Sequence, residues 1–153
     1  MGGAVHARGF SLIEMILVLA IAGVLLAFGI PVYQRYVERT RVMEATTELG
    51  ELSKAVKKFE RDNGALPTTL AAAGLSKTDP WGNAYMYYNL HAVSGNGQAR
   101  KDKKLAPLNS DFDLYSVGKD GLTQENLGHA FSRDDIVRAR DGGFVGSAEE
   151  FDP

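Results

Sequence analysis

The sequence contains no cysteine. Disulfide bonds and thiolate chemistry are therefore excluded, although the cellular compartment stays open because exported domains can also lack disulfides. An exported domain of this protein would need another source of stability. The net charge is also small, −2 at pH 7, and no long run of residues carries one sign. Without a broad basic surface, we expect no nucleic-acid partner.

Groups that could carry out catalysis are scarce as well. The three histidines, His6, His91 and His129, have no nucleophile or third partner at a recognisable spacing, and no phosphate-binding glycine loop is present. The tyrosines that follow Trp81 could form a stacking platform for a sugar or base, but a short aromatic strand more often builds the core of a small domain. The sequence predicts that this protein is not an enzyme.

What the sequence does contain is one long apolar run near its start. No charged residue occurs in residues 15–33. At about 1.5 Å of rise per residue this run would span roughly 28 Å as a helix, close to the ~30 Å hydrocarbon thickness of a bilayer. We predict one membrane-spanning helix. The remainder of the 153 residues is sufficient for one small globular domain.

Glu14 is the one carboxylate at the start of this apolar segment. A charge at mid-bilayer depth costs about 2.5–3.5 kcal/mol on insertion scales, so some compensation is expected. One interpretation is that Glu14 lies at the membrane interface and reaches water. The other is that it meets a specific cation, such as an amine held at the same depth.

The helical pattern continues beyond Pro31, which is expected to bend or loosen the helix locally. Apolar residues recur there at three- and four-residue spacing, with charged residues between them. These positions are Val42, Ala45, Leu49, Leu52, Val56 and Phe59. We predict one long helix over residues 11–61, whose second half packs on a globular head. Gly64 is the expected left-handed residue that ends it.

Two segments of the head have the pattern of strands. The turn residues 79–83 lead into an aromatic strand that ends near Tyr88, and residues 112–117 form a second candidate strand. Residues 94–104 are predicted to be an exposed hairpin loop, and further strands within residues 136–145 stay undecided. The fold class expected is α+β, with a small antiparallel sheet packed against the long helix.

Acidic residues cluster in the last third of the chain, at Asp111, Asp113, Asp120 and Asp134-Asp135. Loops dense in aspartate and glycine can wrap their oxygens around Ca²⁺, but the spacing is not that of an EF-hand. These residues alone fit two interpretations, a cation site or solvated turn carboxylates.

The pattern Gly9-Phe10-Ser11-Leu12-Ile13-Glu14 before an apolar helix resembles the processing site of type IV pilins and type II secretion pseudopilins. The resemblance implies cleavage between Gly9 and Phe10 by a prepilin peptidase, followed by methylation of the new amino terminus. It also implies that Glu14 neutralises the Phe10 ammonium of a neighbouring subunit in a helical filament. The domains expected are a leader (1–9), a transmembrane and filament-core helix (10–34), an amphipathic helical half (35–62) and a head (63–153).

The head is similar to the major pseudopilins of type II secretion in three motifs, residues 79–83, 113–121 and 134–136. This resemblance implies a calcium site after the second motif. The expected ligands are the side chains of Asp120 and Asp135 and the carbonyl oxygens of Val117 and of residues near Ser132 and Asp134. The ion would hold the C-terminal loop on the sheet, a role that disulfides fill in many pilins.

The function expected from the resemblance is that of a filament subunit of a type II secretion pseudopilus. It would start as a single-pass protein of the bacterial inner membrane with a periplasmic head. Its partners would be further copies, the peptidase, an inner-membrane assembly platform and minor pseudopilins. A subunit of a true surface pilus is the first alternative. A monomeric single-pass protein with a ligand-binding head, in which Glu14 is only interfacial, is the second.

Overall fold

The computed structural model describes residues 9–92 and 98–151. The expected leader therefore lies outside the described residues except for Gly9, and so does the tip of the predicted loop, residues 93–97. The chain divides into two compact units, one up to Arg39 and the other from Thr40 onward, which we call the globular unit. Each unit is described by itself.

The long helix α1 extends over Leu12–Asn63, within two residues of the predicted bounds. It contains Pro31 without an interruption of helical structure, so the local bend expected there stays a prediction. The helix ends as expected at Gly64, which has a φ of 75° and donates its N–H to the Glu60 carbonyl at 2.8 Å. This left-handed position satisfies a carbonyl of the last turn at little steric cost for glycine.

Four strands form one antiparallel sheet in the order β1-β2-β3-β4. The strands are β1 (Met86–Asn89), β2 (Phe112–Ser116), β3 (Ile136–Ala139) and β4 (Phe144–Ser147), and a short helix α2 (Ala148–Phe151) follows. The α+β fold class is thus confirmed. The structure also resolves the undecided segment, because both β3 and β4 begin within residues 136–145.

The sheet is buried on both faces. The apolar stripe of α1 packs on one face, while a second cluster covers the other. The first cluster contains Ala45, Leu49, Leu52 and Val56 of α1 with Tyr85, Phe112, Leu114 and Ile136, and the second contains Leu108, Leu127, Val137, Ala139 and Ala148. Adjacent residues of β3 enter opposite clusters, as the two-residue repeat of a strand requires. Tyr85 is buried, and Trp81 and Tyr87 are partly buried against the first cluster, so the prediction that the aromatic segment builds the core is confirmed for these residues but not for Tyr88.

The loop predicted over residues 94–104 is wrong in one respect. Ala99 and Arg100 are not exposed but are 1 % and 3 % accessible, and the backbone N–H of Lys101 donates to the Glu125 carbonyl at 2.8 Å. The basic composition of the segment suggested a solvated loop. The prediction failed because the partners of Arg100 lie far along the chain, beyond the reach of local composition.

Candidate functional site

Ser11 and Glu14 hydrogen-bond to each other at the start of α1. Glu14 Oε2 accepts from the Ser11 N–H at 2.8 Å and from Ser11 Oγ at 2.9 Å, while Ser11 Oγ accepts from the Glu14 N–H at 3.3 Å. This reciprocal arrangement is a capping box, which satisfies backbone donors at the helix end. Our sequence analysis missed it, although the Ser-x-x-Glu spacing was visible. Glu14 therefore has a local structural role beside any role between subunits.

Residues 10–36 present an apolar surface, which we call the apolar shaft. All its large apolar side chains, including Phe10, are at least 52 % exposed. Glu14 is the single charged residue from position 10 to position 34. By length and composition α1 can cross a membrane. An apolar surface of this size requires lipid or other protein to cover it.

Two of the predicted calcium ligands bind their own loop. Asp134 Oδ2 accepts the backbone N–H groups of Lys119 at 2.8 Å and of Asp120 at 3.0 Å. Asp120 Oδ1 accepts the Leu122 N–H at 2.7 Å. The neighbouring Gly118 has a φ of 66°, and a Cβ there would collide with the Asp134 carbonyl. Both carboxylates thus stabilise the tight turn after β2.

The third acidic ligand, Asp135, is completely buried and faces an arginine. Its Oδ2 accepts from the guanidinium of Arg100 and from Thr123 Oγ1, the latter at 2.6 Å. Burial raises the pKa of Asp135 to about 6, and the positive charge of Arg100 is the main influence that opposes the rise. The carboxylate therefore already has a cationic partner from this chain, which offsets part of the effect of burial.

The carboxylates of Asp120, Asp134 and Asp135 each already accept hydrogen bonds from this chain. Ca²⁺ takes six to eight oxygens at about 2.3–2.6 Å. Across residues 9–92 and 98–151, no group of three or more acidic or histidine side chains could hold a metal ion. Ser132 is buried and exchanges hydrogen bonds with the Gln124 backbone, and Val117 is half-buried beside the turn. Calcium binding at Asp120 and Asp135 stays a prediction that this geometry does not favour.

A second buried arginine lies on the helix-facing side of β3. Arg138 makes two hydrogen bonds to the Asp111 carboxylate, at 2.8 and 2.9 Å, and its Nε donates to Ser53 Oγ of α1 at 2.9 Å. Its guanidinium also stacks over the Phe112 ring at 3.9 Å. Lys57 of α1 contacts the same carboxylate at 2.8 Å. The cluster joins α1 to the sheet, so Asp111 has a structural partner.

The described histidines serve local turns. His129 Nδ1 accepts the Phe131 N–H at 3.3 Å, and the backbone N–H of His91 donates to Asn89 Oδ1 at 2.9 Å. His6 lies outside the described residues. The geometry of these contacts is that of turn capping, and it adds nothing to the case for catalysis.

Comparison with known proteins finds one matching family model and several relatives. The model of the prokaryotic N-terminal methylation motif matches residues 6–30. The type IV major pilin protein PilE of Neisseria gonorrhoeae is 33 % identical over 140 residues, covering 86 % of this chain and 82 % of its own. The type II secretion system core protein G of Pseudomonas aeruginosa is 29 % identical over 136 residues, covering 74 % and 84 %.

The fimbrial protein EcpC of Eikenella corrodens is 42 % identical over 71 residues, which is 46 % of each chain. No solved structure matches significantly. The names of these relatives are those of pilus and secretion proteins, not of enzymes. The similarity to PilE extends across most of both chains, and the methylation motif covers the capped start of α1. This chain therefore belongs to the type IV pilin family, as a pilin-like structural subunit.

Proposed function

We propose that this chain is a structural subunit of a type IV pilus-like filament, cleaved after Gly9 by a prepilin peptidase and polymerised through its apolar shaft. The observation that carries the proposal is the shaft itself, an exposed apolar helical surface with one carboxylate at its start. Lipid would cover this surface before assembly, and the shafts of other copies would cover it afterwards. The chain itself performs no reaction in this role.

Glu14 would select the register of assembly. Cleavage after Gly9 creates a positive amino group at Phe10, one residue before the capping box. Both hydrogen bonds from Ser11 end on Oε2 of Glu14, so capping does not require Oε1. In a low-dielectric bundle, an ammonium of a second copy about 4 Å away would be worth a few kcal/mol before desolvation is subtracted. A Cβ added to Gly23 or Gly29 would meet no atom within 4 Å, which leaves room for close helix approach.

The family resemblance supports a bacterial inner-membrane precursor with its amino end in the cytoplasm and its globular unit in the periplasm. An inner-membrane assembly platform and minor subunits would be its partners. These partners would extract the precursor from the membrane into the filament. The proposal needs no cofactor for this function.

Processing is tested by the amino terminus of the membrane-bound protein. We expect N-terminal sequencing to begin at Phe10, and mass spectrometry to show one added methyl group and the loss of residues 1–9. Gly9→Val should retain the leader, because a branched side chain adds bulk beside the peptide bond to be cut. A wild-type chain that begins at Met1 or Gly2 would contradict the proposal and favour a monomeric membrane anchor.

Among filaments, we propose the type II secretion pseudopilus. The turn of residues 79–83 and the end of β2, both of which carry the resemblance to pseudopilins, contact each other. Asn83 Nδ2 donates to the Gly118 carbonyl at 2.9 Å, and Ser116 Oγ donates to Asp79 Oδ2 at 2.5 Å. A true surface pilus is the second candidate, which the similarity to PilE over 82 % of that protein favours.

Deletion of the chromosomal copy of the gene distinguishes a pseudopilus function from a surface-pilus function. For a pseudopilin we expect secreted proteins to accumulate inside the cell while surface filaments stay at their normal number. Protein secretion is measured in the culture medium, and filaments are counted by electron microscopy of sheared cells. Loss of surface filaments with normal secretion would instead assign the chain to a pilus. Complementation with the wild-type chain is the control.

A further inference from the structure

The guanidinium of Arg100 hydrogen-bonds to three oxygen atoms from two parts of the C-terminal region. It donates to the Asp135 carboxylate beside β3, to Thr123 Oγ1 in the loop after β2, and to the Gln124 carbonyl at 2.9 Å. Carboxylate, hydroxyl and carbonyl oxygens are also the ligands that a hard cation takes. Arg100 thus binds the kind of donor set that a structural metal would bind.

Arg100 is itself held rigidly on the sheet. Its backbone N–H donates to Asp113 Oδ2 at 2.7 Å, and its guanidinium lies 4.3 Å from the centre of the Tyr115 ring. The residue is 3 % accessible, and Asp135 is not accessible at all. The next residue, Lys101, pairs with the loop through Glu125 and Leu127, at 2.8 and 2.9 Å. The charge is therefore fixed in position by neighbours on both sides.

We propose that the guanidinium of Arg100 is the cation that holds the loop after β2, residues 117–135, on the sheet. It binds Asp135, the residue that the family resemblance assigns to calcium. A divalent ion and a guanidinium both need this carboxylate, and their like charges would repel strongly in a buried setting. Asp135 Oδ1 and Arg100 Nε are buried without a hydrogen-bond partner among the described residues, but Oδ1 belongs to the carboxylate that Arg100 already contacts through Oδ2. The globular unit should therefore fold without a metal.

The test is thermal unfolding of the full chain in detergent, in excess CaCl₂ and in excess chelator. We expect the Tm of the wild type to agree within about 2 °C in the two buffers, since a ligand that does not bind the folded state cannot raise its stability. Arg100→Met should lower the Tm by about 10 °C or more, because the buried Asp135 carboxyl must then stay charged without a cation or take up a proton, and the Gln124 carbonyl loses the same donor. The matched control is Arg133→Met, at an exposed arginine in the loop that contains Asp135. It should change the Tm by no more than about 3 °C.

A double variant keeps the test decisive if Arg100→Met does not fold. Arg100→Met with Asp135→Asn removes both charges, so it should melt higher than Arg100→Met alone. A wild-type Tm that falls by more than about 5 °C in chelator, with the difference abolished by Asp135→Asn, would overturn the proposal in favour of a calcium site. An Arg100→Met chain as stable as Arg133→Met would overturn it as well.

Discussion

Replacing Arg138 by methionine should lower the free energy of unfolding of the globular unit by about 3–5 kcal/mol. The side chain is fully buried, and its loss leaves the Asp111 carboxylate with one fewer charge partner at a site shielded from water. The bond to Ser53 of α1 and the stacking on Phe112 disappear at the same time. Chemical denaturation of the full chain in detergent, followed by the tryptophan signal of Trp81, measures this loss.

The exposed Arg133 provides the matched control. Arg133→Met removes the same charge and adds the same side chain, but it should change the free energy of unfolding by only about 0.5 kcal/mol or less. Equal stabilities of the two variants would show that the buried cluster does not contribute to folding. A fall in the free energy of unfolding for Arg138→Met alone would show that the buried cluster around Arg138 stabilises the fold.

The same cluster predicts how stability responds to acid. Burial alone would raise the pKa of Asp111, but hydrogen bonds from Arg138, Lys57 and the Phe112 N–H outweigh it and hold the pKa well below its ordinary value. The contribution of Asp111 is therefore complete above the unfolded pKa, near 3.8, and is lost as the pH falls further. The stability difference between wild type and Asp111→Asn should be constant above about pH 5 and shrink below about pH 4. Asp135, with its raised pKa, occurs in both chains and cancels.

Replacing Glu14 by glutamine should reduce incorporation into filaments at least tenfold, while membrane insertion is unchanged or improved. Glutamine can keep the capping box, because its amide oxygen can accept both hydrogen bonds from Ser11. It cannot neutralise an ammonium group, and an interaction of a few kcal/mol between buried charges corresponds to a tenfold change or more. Immunoblots of sheared filaments against total membrane protein give the incorporated fraction.

Ser11→Ala separates the pairing of charges from helix capping. This variant loses the serine hydroxyl of the box, at a cost of about 1 kcal/mol to the helix end, but it keeps the carboxylate of Glu14. It should assemble nearly as well as the wild type. Normal assembly of Glu14→Gln, or equal defects in Glu14→Gln and Ser11→Ala, would contradict a specific interaction between Glu14 and the Phe10 amine.

Local signals predicted the long helix well. Its apolar spacing and the terminal Gly64 are properties of neighbouring residues, and the observed bounds differ from the predicted ones by at most two residues. β3 was harder, because a strand buried on both faces does not alternate between apolar and polar residues. Arg138 also interrupts it, and the partner that explains this arginine lies 27 residues earlier.

The acidic cluster shows the limit of reasoning from composition. An aspartate in a loop can bind a metal, cap a turn or face an arginine. These three roles can look alike in the sequence, and only the fold distinguishes them. Asp134 caps backbone amides, whereas Asp135 faces Arg100 from 35 positions along the chain. The capping box differs from these cases, because the Ser11 and Glu14 spacing that forms it is local and can be predicted from the sequence.

Cryo-electron microscopy of filaments from cells that overproduce the chain, at a resolution that shows the N-terminal helices, is the most direct test of pairing between Glu14 and the Phe10 amine. We expect the shafts to pack together at the filament centre, each chain to begin at Phe10, and the Glu14 carboxylate to lie within about 4 Å of the amino group of a neighbouring copy. Filaments in which the chains retain residues 1–9, or in which Glu14 contacts no amino terminus, would contradict the account.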